Sequence, residues 1–354
     1  MKSRCYTSSS IKLTPAQSEV IDRLRKACRM AGHAYSTEKT YVDCTVRFLR
    51  WWQALGAFQR ASMTVPEAKF KGYLSHLANN RKVSKVTQDQ AFNALRFLFE
   101  KAMEVKLGDL SGIPRGRRNK RLPQIVEMEV AEDILSKLPY SPTVPIRLVC
   151  AVMLRCGLRI NEALNIRFKD INFKDGLITV RCGKGNKDRI AVLPCRLVPG
   201  LQMQMRYAET LWRSDVENGI PCEVPESLLR KYPHLERSRP WFFIFPAPRP
   251  CPHHPRSGKR VRWHLHAATV QSAVFSEVKS RGLEGVFRPH TFRHCFADTL
   301  RKQGVDMRII QELLGHECLE TTMIYTHPAA DSARLTIDRI FPMMQPSTPL
   351  LCGA

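Results

Sequence analysis

The stretch from Lys106 to Leu122 breaks the chain in two. Gly108, Gly112, Pro114 and Gly116 punctuate it, no apolar period runs through it, and it ends on Arg115, Arg117, Arg118, Lys120 and Arg121. Glycine and proline at that density oppose both helix and strand, and like charges in a row hold a segment extended. Whatever lies on either side must therefore bury its own core. At 354 residues and 44% apolar content the chain has enough material for two such cores without disulfides or metals.

The part before the break repeats one pattern. Val20, Ile21, Leu24 and Ala27, then Tyr41, Cys44, Phe48 and Trp52, then Phe92, Leu95, Phe99 and Ala102 fall at helical spacing. The expectation is a small helical bundle over 14–106, with Arg47, Arg50, Lys69, Lys71, Arg81, Lys82, Lys85 and Arg96 between its apolar faces, a scatter suited to phosphates. After the break the pattern is mixed. Helices are expected from Glu129 to Leu138, Ile146 to Leu154, Arg159 to Arg167, Cys195 to about Asp215, and from Ala267 onward. Leu177 to Arg181 and Arg189 to Leu193 read as strands flanking the hairpin loop Gly183-Lys184-Gly185-Asn186-Lys187. The expected layout is a flexible N-terminus (1–13), a helical domain (14–106), a basic linker (107–122), a mainly α domain with a small β-sheet (123–342) and a flexible tail (343–354).

Lys and Arg total 56 against 32 Asp and Glu, a net charge of +24, more than solubility asks of a chain this size and a sign of a polyanionic partner. No apolar run is long enough to span a bilayer, and residues 1–10 lack the apolar core of a signal peptide. The 12 Cys include no CxxC pair, a pattern that suits a reducing compartment. A cytoplasmic, nucleoid-associated protein acting on nucleic acid is expected, with no membrane partner. Cys251, His253, His254, His264 and His266 lack the paired hooks of structural zinc, so no metal is expected, and neither a P-loop nor an acidic triad suited to Mg²⁺ is found.

Within 123–342 several polar groups stand where side chains could converge on one phosphate. Arg159 follows the turn at Gly157 and opens a helix. Lys184 sits at a hairpin tip. His290 and Arg293, three apart in Pro-His-Thr-Phe-Arg-His, share a helical face. His316 follows a helix expected to start after the N-cap Asp306 and stop at Gly315, and Tyr325 lies in Thr-Thr-Met-Ile-Tyr-Thr-His.

The ordered set Gly157-Leu-Arg159-Ile-Asn-Glu162, Gly183-Lys184-Gly185, His290-Thr-Phe-Arg293, Leu-Leu-Gly-His316 and Tyr325-Thr-His327 resembles the tyrosine recombinase family. Its sequence order, with 23 positions from Arg293 to His316 and nine more to Tyr325, is far more specific than any single motif. The resemblance implies a two-domain C-shaped DNA clamp, a helical core-binding domain joined to a mixed α/β catalytic domain. Two further stretches are similar to integron integrases: Tyr35-Ser-Thr-Glu-Lys-Thr-Tyr-Val42 and Tyr73-Leu-Ser-His-Leu-Ala78. Lys184 and His290 also lie 106 positions apart, more than compact recombinases use. An insertion at about 222–266, holding Trp241-Phe-Phe-Ile-Phe-Pro246 and Arg262-Trp-His264-Leu-His266, resembles the device by which that subgroup holds bases flipped from a folded single strand.

The chemistry implied is attack by the Tyr325 phenol on a phosphodiester, giving a 3′-phosphotyrosyl link that a second strand's hydroxyl reseals. No ATP or other cofactor is needed, because each step exchanges one phosphoester for another. Arg159 and Arg293 would clamp the developing charge, Lys184 protonate the leaving oxygen, His290 act as base and His316 orient the phosphate. Glu162 would hold Arg159. Trp241, Pro255 and His264 would contact DNA bases, Arg118, Arg121 and Lys187 its backbone, and Arg189 is expected as a phosphate contact or a surface charge. The partners implied are folded single-stranded and duplex recombination sites, worked on by a homotetramer spanning two of them. The tail after His327 departs from the integron-integrase ending, although Leu335, Ile337 and Ile340 could still form a helix that docks into a neighbour. A conventional phage- or Xer-type recombinase acting on duplex alone, a type IB topoisomerase, and a DNA-binding protein that has lost catalysis stay open as alternatives.

Overall fold

The computed structural model describes residues 13–108, 110, 126–181, 188–252, 258–315 and 337, and divides the chain into two compact units, Met1–Leu122 and Pro123–Ala354. Lys184, Lys187, Pro255, His316, Tyr325, Arg118 and Arg121 lie outside the described residues, as do nearly all of 107–122 and the terminal segments 1–12 and 338–354.

The first unit is the expected bundle: α1 (Pro15–Met30), α2 (Tyr35–Ala54), α3 (Ala57–Ala61), α4 (Pro66–Ser75) and α5 (Lys85–Phe97). α1 starts where chemistry allows. The Thr14 hydroxyl accepts from Gln17 N at 3.3 Å, the Gln17 side chain accepts from Thr14 N at 3.0 Å, and Pro15 takes a position whose N–H has no helical partner anyway. Ile21, Leu24 and Cys28 face inward at one-turn spacing to meet Phe48, Phe70, Phe92 and Leu95. α4 and α5 both run on into a wider π turn, His76–Asn80 and Leu98–Ala102, which the periodicity did not announce. Arg47, Lys71, Arg81, Lys82 and Arg96 lie exposed on this unit, as a phosphate-facing surface needs.

The second unit is built around α7 (Ile146–Cys156), whose residues other than Arg147 are all buried. A helix apolar on every side must be wrapped by others, and α6 (Met128–Lys137), α11 (Ala267–Ser280) and α12 (Pro289–Lys302) wrap it. Its one buried charge, Arg155, is held by both oxygens of Glu132 on α6 at 2.7 and 2.8 Å. α7 ends at Gly157 in the left-handed region, φ +64°, ψ 24°. There a Cβ would sit 2.7 Å from the Phe296 ring, so Gly157→Ala meets both backbone strain and overpacking. It is expected to destabilise this unit by about 2–4 kcal/mol, read as a lower denaturant midpoint.

The remaining elements are α8 (Ile160–Leu164), the antiparallel sheet β1 (Ile171–Asn172), β2 (Leu177–Val180) and β3 (Arg189–Val192) in that order, α9 (Val198–Glu217), α10 (Glu226–Lys231) and α13 (Met307–Leu314). β2 and β3 pair as expected for a hairpin, Val180 opposite Arg189 and Leu177 opposite Val192; β1 is too short for a sequence period. Thus the fold is mostly helical with a three-stranded sheet. α13 has the expected ends: the Asp306 carboxylate accepts from Arg308 N at 2.7 Å, and Gly315 is left-handed at φ +62°.

The segment 222–266 is joined to this unit by two buried arginines. Arg262 grips Asp215 of α9 through Nε and Nη2, each 2.6 Å from a carboxylate oxygen, and reaches Ala247 O at 2.8 Å. Arg167 donates to Glu223 O, Trp241 O and the Glu223 carboxylate at 2.8, 2.6 and 3.1 Å, with Phe243 stacked 4.1 Å from its guanidinium carbon. In the run after Trp241, Phe242, Phe243, Ile244 and Phe245 are all buried. Backbone bonds to Ile166 and Phe168 on one edge and Leu265 on the other place it between two neighbouring segments, and its side chains on both faces enter the unit's apolar core.

Most of the described cysteines are buried. No helix among the described residues is long and apolar enough to cross a membrane.

Candidate active site

Three arginines from three elements, the start of α8, β3 and α12, meet around one carboxylate, that of Glu162. Arg159 is the N-cap of α8 because Gly157 turns the chain there. Glu162, one turn on, accepts from Arg159 N at 2.9 Å and from Arg159 Nη1 at 2.6 Å, closing the cap and fixing the guanidinium together. Arg189, first residue of β3, donates to the other side of the same carboxylate at 2.6 Å, and Arg293 on α12 lies 3.5 Å from it. Burial alone would raise the Glu162 carboxyl, but Arg189 and the bonds from Arg159 outweigh it and hold the group below the ordinary glutamate range.

Arg293 is 2% exposed. It donates to Gly157 O at 2.6 Å and to Leu314 O, so one side chain ties the end of α7 to the end of α13. Burial, then the neighbouring Arg159, pull its pKa down to about 9, which leaves it a cation at neutral pH. Arg159 retains more solvent access, its side chain 24% exposed, and reaches Gly315 O at 3.4 Å. His290 stands exposed one turn before Arg293, its ring edge-on to His294 at 4.7 Å. Guanidiniums so fixed, beside an exposed imidazole and the end of α13, can hold and orient a phosphate group.

Two residues depart from the sequence reading. Arg189, expected as a phosphate contact or surface charge, is 7% exposed and serves Glu162 and Leu313 O instead. His294, which sequence reasoning passed over, pairs with His290; its place one helical turn on was the available signal. The base-contacting candidates sit apart from the arginine cluster in chain position and setting. Trp241 is half-buried with the Lys169 ammonium 2.8 Å from its ring centroid, and burial, then Arg181, bring Lys169 down to about 8. His264 packs edge-on to Phe243 at 5.5 Å and hydrogen-bonds Leu265 O at 2.7 Å, and burial lowers its pKa. No set of side chains among the described residues is arranged to hold a metal ion; His253 and His254 lie outside them.

Residues 124–332 match the Phage integrase family, and residues 20–109 match the Phage integrase N-terminal SAM-like domain. A protein of Escherichia coli named Integrase/recombinase is 37% identical over 322 residues, 90% of this chain and 93% of its own. Tyrosine recombinase XerA of Pyrococcus furiosus is 27% identical over 326 residues, 91% of this chain and 94% of its own. Among solved structures, the XerH site-specific recombinase bound to its difH substrate superimposes with a TM-score of 0.53 at 21% identity, covering 88% of this chain and 83% of that one, which supports the fold. With the family matched over most of the second unit and a 37% identical relative nearly end to end, this chain belongs to the phage integrase family and is a site-specific DNA recombinase of the tyrosine type.

Proposed function

We propose that this recombinase is an integron-type integrase, inserting and excising gene cassettes by way of folded single-stranded sites as well as duplex ones, in the cytoplasm and as a homotetramer on two sites. In this reading Tyr325 is the nucleophile, Arg159 and Arg293 clamp the phosphate, Lys184 is the acid, His290 the base, and His316 orients the phosphate. Arg118, Arg121 and Lys187 contact the DNA backbone, and Trp241, Pro255 and His264 the bases. The observation that carries the chemistry is the Glu162-centred cluster, because it fixes Arg159 and Arg293 without consuming both charges. The integron subtype is supported by the described part of 222–266, tied down by Arg262–Asp215 and Arg167–Glu223 and carrying a half-buried Trp241.

A conventional duplex recombinase is the second reading, favoured by the match to XerA over nearly its whole length. A denaturing-gel assay for a covalent protein–DNA adduct separates the two, with cassette-type sites offered as folded bottom strand, folded top strand and duplex. An adduct favouring one folded strand supports the integron reading; an adduct on duplex alone supports the other. Trp241→Ala should weaken action on folded-strand sites by about 10-fold or more, the loss of roughly 1–3 kcal/mol of stacking, and leave duplex sites nearly unchanged. Equal loss on both would remove Trp241 from base contact.

A further inference from the structure

Arg189 is buried, charged and unused by the chemistry above. It is also the residue at which three parts of the site meet. Its Nη2 donates to Glu162 at 2.6 Å, its Nη1 to Leu313 O at 2.9 Å near the end of α13, and its stem lies against Gly315, where a Cβ would stand 2.5 Å from Arg189 Cδ. As the first residue of β3, paired with Val180, it closes the base of the hairpin whose loop carries Lys184.

Charge gives this position a consequence. Glu162 has one negative charge to share among Arg159, Arg189 and Arg293. Arg189 holds it at 2.6 Å, while Arg293 stands 3.5 Å away. With Arg189 present the four groups carry a formal +2, and without it +1. A carboxylate in a buried setting pulls hardest on whichever cation remains, so without Arg189 it would draw on the positive charge that the phosphate needs.

We propose that Arg189 is a positioning residue for strand cleavage: it is the counter-ion that satisfies Glu162, leaving Arg159 and Arg293 free to meet the phosphate, and it pins the base of the Lys184 hairpin to the end of α13. The proposal rests on the phosphate-clamp roles given above for Arg159 and Arg293. Arg189 itself touches no DNA, so its loss acts on the rate of cleavage and leaves affinity alone.

The test is single-turnover adduct formation by the full-length protein on a nicked suicide site, with DNA affinity measured alongside and Tyr325→Phe as the control. Arg189→Met should slow adduct formation by about 10- to 100-fold with Kd unchanged, and Arg189→Lys, which restores the charge without the two-pronged reach, should recover part of it. In a Glu162→Gln background the further effect of Arg189→Met should be several-fold smaller, because the charge it balances is gone and only the tie to Leu313 O remains to be lost. Should Arg189→Met fail to fold, Arg189→Lys is carried through the same cycle. The proposal is overturned if Arg189→Met cleaves at the wild-type rate, if its loss is the same in both Glu162 backgrounds, or if Kd rises in step with the loss of rate. Failure of the clamp reading looks different: Arg159→Ala and Arg293→Ala would then form the adduct at close to the wild-type rate.

Discussion

Tyr325→Phe is expected to leave DNA binding within about twofold of wild type and to abolish the covalent adduct. The substitution removes one oxygen and no charge, so the phosphate contacts that supply affinity are untouched. A phenyl ring has no atom able to attack phosphorus. Because cleavage and rejoining share the phosphotyrosyl link, neither half of the exchange survives its loss. Gel shift and denaturing gel on one site, side by side, read both quantities. Residual adduct in the variant would assign the nucleophile to another residue, and parallel loss of binding would mean that the substitution had disturbed the fold around it.

Arg293→Ala is expected to slow cleavage by about 10³-fold or more, the scale seen when a fixed donor to developing charge is removed. It should also destabilise the second unit. The side chain is 2% exposed and bonds Gly157 O and Leu314 O, so truncation leaves two buried carbonyls without that donor and opens a cavity between the ends of α7 and α13. Arg293→Lys separates the effects: it keeps the cation, which limits the loss of stability, but a single ammonium cannot span both carbonyls and a phosphate. Cleavage by the lysine variant should therefore stay far below wild type while its melting temperature partly recovers. A lysine variant as active as wild type would show that charge alone suffices at this position.

Much of the fold was legible in the chain. The caps of α1 and α13, the turn at Gly157 and the hairpin pairing of β2 with β3 follow from local rules, in which a residue's neighbours in sequence are also its partners. The contact between Arg159 and Glu162 was readable for the same reason, since a cap and its partner one turn on lie within four residues. The burial of Phe242 to Phe245 on both faces was not legible, because their backbone partners Ile166 and Phe168 lie more than seventy positions earlier and the core around them is drawn from distant elements.

The sequence by itself determined that this is a two-unit, strongly basic, mainly helical chain carrying the ordered motifs of a tyrosine recombinase, because spacing, capping and charge are properties of near neighbours. Only the tertiary structure decided what Arg189 and Arg293 do. Their partners, Glu162, Gly157 O, Leu313 O and Leu314 O, reach them from distant parts of the chain. Whether an arginine stands in water or is drawn into a core around one carboxylate depends on which elements the packing brings together, and that is set by the cooperative burial of α7.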